Sequence, residues 1–260
     1  LFRNQYGERN AEVSQDARNK TTSEKIKLKK ITANIATMPS RINVLPKMID
    51  SIYSQVDEIR IYFNEIEQVD YAFIAKLKRD KIKIAHGNNL TDNGKFYFIP
   101  KSYEPDEFYF MMDDDFIYPS DYVEITLSKI NQYKGCVITY HGRKLDGVGL
   151  NYYHGHKKAF RCMGTVNEDV IVDVAGTGVT AFDTYYFRPQ LLFASMHLRM
   201  SDLVFAKEMA DCEIQAICCR HELGWMKMME STESIFESNV GKITTEQNKL
   251  ADYIYTKKFL

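Results

Sequence analysis

Phe108-Tyr109-Phe110-Met111-Met112-Asp113-Asp114-Asp115 decides the reading of this chain. Five apolar or aromatic residues in a row predict a short strand buried on both faces. Three consecutive carboxylates then end it. Like charges this close repel and raise one another's pKa unless a cation neutralises them. Carboxylate oxygens are hard ligands, so the simplest cation is Mg²⁺ or Mn²⁺. Pro119 follows, and Asp121 and Glu124 fall in the first turn of a helical pattern over 121–133, as expected for a helix start. The unit reads strand, acidic loop, helix. In open α/β sheets ligands lie outside the carboxyl ends of strands, where this loop would sit. The competing reading is a calcium-binding or merely solvated acidic loop.

Working towards the N-terminus, Lys81 to Ala85, Glu58 to Asn64 and Ile31 to Ala36 read as three further strands. Helical spacing joins them, through Ile42, Leu45, Met48, Ile49 and Ile52 and then through Val69 to Leu77. This alternation predicts an α/β fold with a mostly parallel central sheet and flanking helices. Thr37-Met38-Pro39-Ser40-Arg41 breaks the first strand; an Arg there suits a phosphate or a base edge, while the local residues alone favour a surface Arg that starts the helix. Asp92-Asn93-Gly94-Lys95 reads as a turn, which alone explains it; the second reading makes Lys95, on a Gly-bearing loop, a diphosphate contact. Lys25-Ile26-Lys27-Leu28-Lys29-Lys30 is a solvated lead-in or a rest for anionic lipid. Residues 1–24 are polar and read as a tail or linker.

Working towards the C-terminus, Cys136 to Tyr140 is another strand, ending at His141-Gly142. Residues 143–167 lose periodicity and carry Tyr152, Tyr153, His154 and His156, as an irregular functional loop would. Val170 to Val174 is a strand, and Gly176-Thr177-Gly178 a tight turn that lets backbone approach a ligand. Ser201-Asp202 starts a helix, and the local reading of Asp202 is a cap. Glu213 to Cys218 is the last strand, followed by His221 and Trp225; the sequence beyond 230 is polar as far as Tyr253. The expected division is a tail over 1–24, one domain over 25–235 and a C-terminal extension over 236–260 packing on it.

A net charge of −1 gives no basic field for nucleic acid. The five cysteines lack zinc-ligand spacing and read as reduced thiols of a cytosolic protein. No run reaches the ~18 apolar residues of a membrane span. Leu1-Phe2-Arg3-Asn4 does not read as a signal peptide, and without an initiating Met the chain is expected to belong to something longer.

In series, Asp92 to Phe96, Asp113 to Tyr122, His141-Gly142, Gly176 to Gly178, Met200-Ser201-Asp202 and Ile217 to Trp225 resemble the GT-A fold glycosyltransferases. More narrowly, the chain is similar over roughly 30–230 to bacterial α-N-acetylglucosaminyltransferases of heparosan-type capsules. The resemblance implies a Rossmann-like GT-A domain using Mn²⁺ or Mg²⁺, a UDP-sugar donor and an oligosaccharide or glycoconjugate acceptor. It places Asp115 as principal metal ligand, with Asp113 supporting it or touching the ribose. Thr37, Pro39, Arg41, Asn64, Asp92, Lys95, Asp113, Asp114, Gly176, Thr177 and Gly178 would bind the nucleotide sugar. His141 and Trp225 would face a sugar, and Asp202 the reacting centre. His221 stands where the heparosan enzymes have an Arg, and other GT-A enzymes use a C-terminal His as a metal ligand. The family also implies a cytoplasmic place, with a peripheral position at the inner membrane face or in a capsule-assembly complex left open. Two other readings remain. An inverting transferase would use Asp202 as base on another sugar donor, and a non-catalytic module would only bind carbohydrate or metal. A sugar nucleotidyltransferase would want a Gly-rich loop after the first strand, and Thr37 to Arg41 has no glycine.

Overall fold

The computed structural model describes residues 29–77, 80–149, 151–152, 157–190, 200–229 and 244–257. The tail expected over 1–24, the Tyr153, His154 and His156 cluster and the boundary at 235/236 lie outside the described residues. In chain order the elements are β1 (Lys30–Thr37), α1 (Leu45–Ile52), β2 (Glu58–Asn64), α2 (Tyr71–Leu77), β3 (Ile82–Gly87), β4 (Glu107–Met112), β5 (Phe116–Ile117) and α3 (Tyr122–Gln132). There follow β6 (Val137–Thr139), β7 (Gly142–Leu145), β8 (Lys157–Phe160), β9 (Val170–Val172), β10 (Val174–Ala175) and β11 (Val179–Asp183). The described chain closes with α4 (Ser201–Asp211), β12 (Ala216–Cys218), β13 (Lys227–Met228) and α5 (Thr244–Lys257).

The period of two along the strands builds two cores. Phe110 and Met112 of β4 join Ala33, Ile35, Ile59, Ile61 and Phe63 on one face of the sheet, beneath Leu45, Met48 and Ile52 of α1 and Val123 and Ile130 of α3. Tyr109 and Met111 point the other way, to Phe182, Leu203 and Phe205. A strand covered on both faces needs an unbroken apolar run, which is what Phe108 to Met112 supplies.

The main sheet has eight strands in the order β3-β2-β1-β4-β11-β6-β12-β9. The strands β3, β2, β1 and β4 are mutually parallel, and β6 and β12 run the same way. The strands β11 and β9 oppose them. The sheet is therefore mostly parallel, with helices on both faces. Because β1 lies between β2 and β4, the chain winds outward in one direction from β1 and then returns to β1's other side. This switch point sets the loop after β1 beside the loop after β4, and a crevice opens there.

Four expectations change. Residues 143–167 are not irregular throughout: β7 and β8 pair antiparallel and form a three-stranded sheet with β10. Residues 170–174 are not one strand. Asp173 interrupts them, accepting the Leu145 N–H at 2.7 Å, so β9 stays in the main sheet while β10 joins the small one. The last strand is β13, paired with β5, rather than β12. The polar sequence after 243 forms α5, whose Ala251 and Ile254 reach the second core beside α4.

Candidate active site

The acidic loop is held from below. The Asp113 N–H points at the Tyr118 phenol oxygen at 2.8 Å and the Gly178 carbonyl at 3.2 Å. The Tyr118 O–H donates to the Gly178 carbonyl at 2.6 Å. Tyr118 is 2% exposed, so its hydroxyl must find partners inside. It ties the end of β4 to the turn before β11. This is a site residue that the sequence reading missed. The signal available was the aromatic in Asp115-Phe116-Ile117-Tyr118-Pro119.

Two cations of the protein's own neutralise part of the loop. Arg41 leaves a short 3₁₀ turn, Pro39–Arg41, whose proline sits at its first position with φ already set. One guanidinium nitrogen donates to Asp114 at 2.7 Å and to Asp115 at 3.0 Å. Lys95 donates to Asp113. Both cations are buried, Arg41 at 9% and Lys95 at 4% exposure. They face the carboxylates rather than open solvent.

Among the described residues Asp113, Asp114 and Asp115 face Arg41, and Asp92, Asp113 and Asp202 face Lys95, five carboxylates about these two cations. Burial works against charge on Asp114 and pushes its carboxyl up, against the pull of Arg41. Burial, then the Asp113 charge, pushes Asp115 up to about 6. Burial opposes charge on Lys95 too, but Asp113, Asp92 and Asp202 outweigh it and keep the ammonium.

Gly94 packs Lys95's turn tightly, since a methyl there would stand 2.8 Å from a Tyr62 ring carbon. The expected loop is a 3₁₀ helix, Thr91–Phe96. Asp92 reaches from it to α4 and accepts the Ser201 N–H at 3.0 Å. A helix N–H without an intrahelical partner is thus satisfied by a carboxylate from elsewhere in the chain. The expected cap role therefore moves from Asp202 to Asp92. Asp202 lies inside the first turn of α4 and turns to the glycine turn. One of its oxygens accepts both the Thr177 N–H and the Thr177 hydroxyl, each at 2.9 Å. Its other oxygen has no hydrogen bond among the described residues. A Cβ on Gly176 would meet the His141 ring at 2.8 Å. His141 is half-buried, and burial and then Arg143 push its imidazole below the ordinary value, against Asp202 and Asp113.

One cleft is lined by Thr37, Met38, Arg41, Asn64, Thr91, Asp92, Lys95, Asp113 and Asp114. Pro39 is half-buried beside it on the same turn. Asp115, Gly178, Thr177 and Asp202 adjoin this group through the contacts above. Three expected contacts turn inward. Asn64 spends its amide on the Thr37 and Thr91 carbonyls, at 3.1 and 2.9 Å, and its oxygen on the Leu90 N–H, so it braces two loops. Trp225 packs edge-on against Tyr140 with ring centres 4.7 Å apart, and its indole N–H donates to Asp121, away from the cleft residues. His221 has both ring nitrogens against backbone carbonyls, 2.8 Å from Cys219 O and 3.0 Å from Arg161 O. A metal needs a ring nitrogen with its lone pair clear, so His221 is corrected from ligand to structural residue.

Among the described residues no group of three or more His, Cys, Asp or Glu side chains is arranged to hold a metal alone. Mg²⁺ and related ions are commonly held by one or two carboxylates, with waters and substrate phosphates completing the shell. Asp113 and Asp115 fit that kind of site. Each keeps one oxygen without a hydrogen bond among the described residues, and burial and then the Asp113 charge push the Asp115 carboxyl up.

Fold and loop placement together define a GT-A-like, Rossmann-type α/β protein. Among solved structures the chain is similar to GalNAc-T7 with UDP, GalNAc and Mn²⁺, at TM-score 0.54 and 11% identity over 80% of this chain. The chain spans only 45% of that protein's length. It also matches 4-diphosphocytidyl-2C-methyl-D-erythritol synthase from Anaerococcus prevotii (TM-score 0.44, 15% identity, 88% of this chain and 99% of that one). A third match is S. aureus TarS (TM-score 0.44, 13% identity, 72% and 57%). No protein-family model matches the chain, and no curated protein matches it. At these identities the likeness is one of fold; the narrower likeness to heparosan-type enzymes is not among what these matches show. Among the described residues no helix is long and apolar enough to cross a membrane.

Proposed function

We propose that the chain is a metal-dependent glycosyltransferase that moves a sugar from a nucleotide diphosphosugar to a saccharide acceptor. One observation carries this reading. A carboxylate-ended strand, β4, meets the loop after β1 at the switch point of a GT-A-like sheet, with Asp115 pushed up to about 6 by burial and then by the Asp113 charge. GalNAc-T7, of similar fold, was solved with UDP, GalNAc and Mn²⁺. The donor in this proposal is UDP-N-acetylglucosamine and the product an α-linked saccharide of a bacterial surface polysaccharide.

Asp113 and Asp115 would hold Mn²⁺ or Mg²⁺, which when bound neutralises charge on the departing diphosphate. Thr37 and Asp92 line the cleft where the nucleotide lies. The Thr177 turn and His141 border the sugar. In transfer, the bond from the anomeric carbon to phosphate oxygen breaks and one to the acceptor oxygen forms. With retention, the acceptor proton passes to the departing phosphate and Asp202 stabilises the positive centre. With inversion, Asp202 takes that proton and the product is β-linked; the α-linked product proposed here goes with retention. The anomeric configuration of the product decides between them.

The test is release of nucleoside diphosphate from a set of sugar nucleotides with Mn²⁺, with and without saccharide acceptors. UDP release from UDP-N-acetylglucosamine that rises with an acceptor is expected. Release from none of them overturns the proposal and leaves a binding module.

A further inference from the structure

Lys95 stands at the centre of a closed ring of contacts. Its ammonium donates to Asp113. The second oxygen of Asp113 fills the space over Gly178. Thr177, next in chain, donates twice to Asp202. Ser201, beside Asp202, donates to Asp92 on Lys95's own turn. The turn itself is fixed, because the Lys95 carbonyl accepts the buried Tyr109 hydroxyl at 2.5 Å and Gly94 is wedged between Tyr62 and Ala36. Lys95 borders the cleft, but its side chain is 4% exposed and its ammonium is spent on Asp113.

We propose that Lys95 is a positioning residue rather than a phosphate contact: its buried ammonium fixes Asp113 and is the shared counter-charge of Asp113, Asp92 and Asp202. This rests on the reading of Asp113 as a cation ligand. One oxygen of Asp113 stays with Lys95, and the other is left for the cation. Lys95 also repels that cation, because two positive charges share one carboxylate. The loop is thereby kept from loading tightly with metal alone, and full occupancy waits for the negative diphosphate.

The sign of the metal effect separates this role from the alternatives. Mn²⁺ alone, and UDP at saturating Mn²⁺, are titrated by calorimetry into the parent and into Lys95→Met, with circular dichroism as the check on folding. Lys95→Met is expected to bind Mn²⁺ alone about tenfold tighter, since a nearby like charge is gone. Its affinity for UDP at saturating Mn²⁺ is expected to stay within about threefold. Mn²⁺ affinity that is unchanged or weaker overturns the proposal. So does a tenfold or greater loss of UDP affinity, which marks a direct phosphate contact. Should Lys95→Met not fold, the parent crystallised with Mn²⁺ and UDP gives the answer. Lys95 still on Asp113 supports the proposal, and Lys95 on a phosphate oxygen overturns it. A parent that does not bind UDP even with Mn²⁺ present overturns the glycosyltransferase reading together with this one; a parent that binds UDP with Mn²⁺, with no tightening of Mn²⁺ alone in Lys95→Met, overturns this one alone.

Discussion

A methyl group on Gly178 would stand 1.8 Å from a carboxylate oxygen of Asp113. The Asp113 backbone is pinned to the Gly178 carbonyl and to Tyr118, so the overlap can be relieved only by the carboxylate turning away. Gly178 is thus required for the place of the Asp113 carboxylate.

Gly178→Ala tests this. The variant is expected to fold and to lose metal-dependent UDP binding by tenfold or more, as the Asp113 carboxylate is driven from its position. Calorimetry with Mn²⁺ reads the loss. Parent-like affinity would show that the Asp113 oxygen over Gly178 is not needed for loading.

Arg41→Met tests the inward pairing of the loop. Removing one partner of a buried ion pair leaves an uncompensated charge, at a cost of about 3–5 kcal/mol. Asp114 is 2% exposed and loses its closest cation. Urea unfolding should show that loss. A change below about 1 kcal/mol, the size of a surface pair, would contradict the assignment.

Much of this arrangement was legible in the sequence. The apolar run of β4 declared a strand covered on both faces, β1 and β2 were legible as strands, and the helical spacings of α1 and α3 gave the crossovers. The acidic loop and the Gly176 to Gly178 turn were found by residue type. What could not be read is direction. Arg41 and Lys95 suit a phosphate by type, yet both spend their charge on Asp113, Asp114 and Asp115. His221 and Trp225 likewise look like site residues until packing turns them to backbone carbonyls and to Tyr140. The strands β7 and β8 escaped notice because the small sheet leaves Arg143, Lys144 and Lys158 among their few residues. The helix α5 escaped because polar residues fill most of it, with Leu250, Ala251 and Ile254 as its apolar side.

Acid stability follows from Glu58, on the polar side of β2. Burial alone pushes its carboxyl up; hydrogen bonds from Lys30, Lys83 and Arg60 overcome this and hold it at about 2. Its folded pKa is thus depressed below the unfolded value of about 4.3. Its stabilising contribution is present above about pH 4.3 and is lost as pH falls towards about 2. Melting curves of the parent and Glu58→Gln should differ most above about pH 4.5 and converge near about pH 2. A gap that does not change over that window would contradict the charge role.

Asp202→Asn separates packing from chemistry. The Asn oxygen still accepts from Thr177, while charge and basicity are gone. The variant is expected to match the parent in stability and UDP binding and to lose about 10²-fold or more in transfer rate. Transfer within a few-fold of the parent would return Asp202 to a bracing role for the glycine turn.

The central claim is that the loop after β4 binds a nucleoside diphosphate through a divalent cation. Calorimetric titration of UDP, with Mn²⁺ and again with excess chelator, into the parent and Asp115→Asn tests it most directly. The account predicts binding by the parent with Mn²⁺, loss with chelator, and loss in folded Asp115→Asn even with Mn²⁺. UDP affinity that ignores both the chelator and the Asp115 substitution would contradict it.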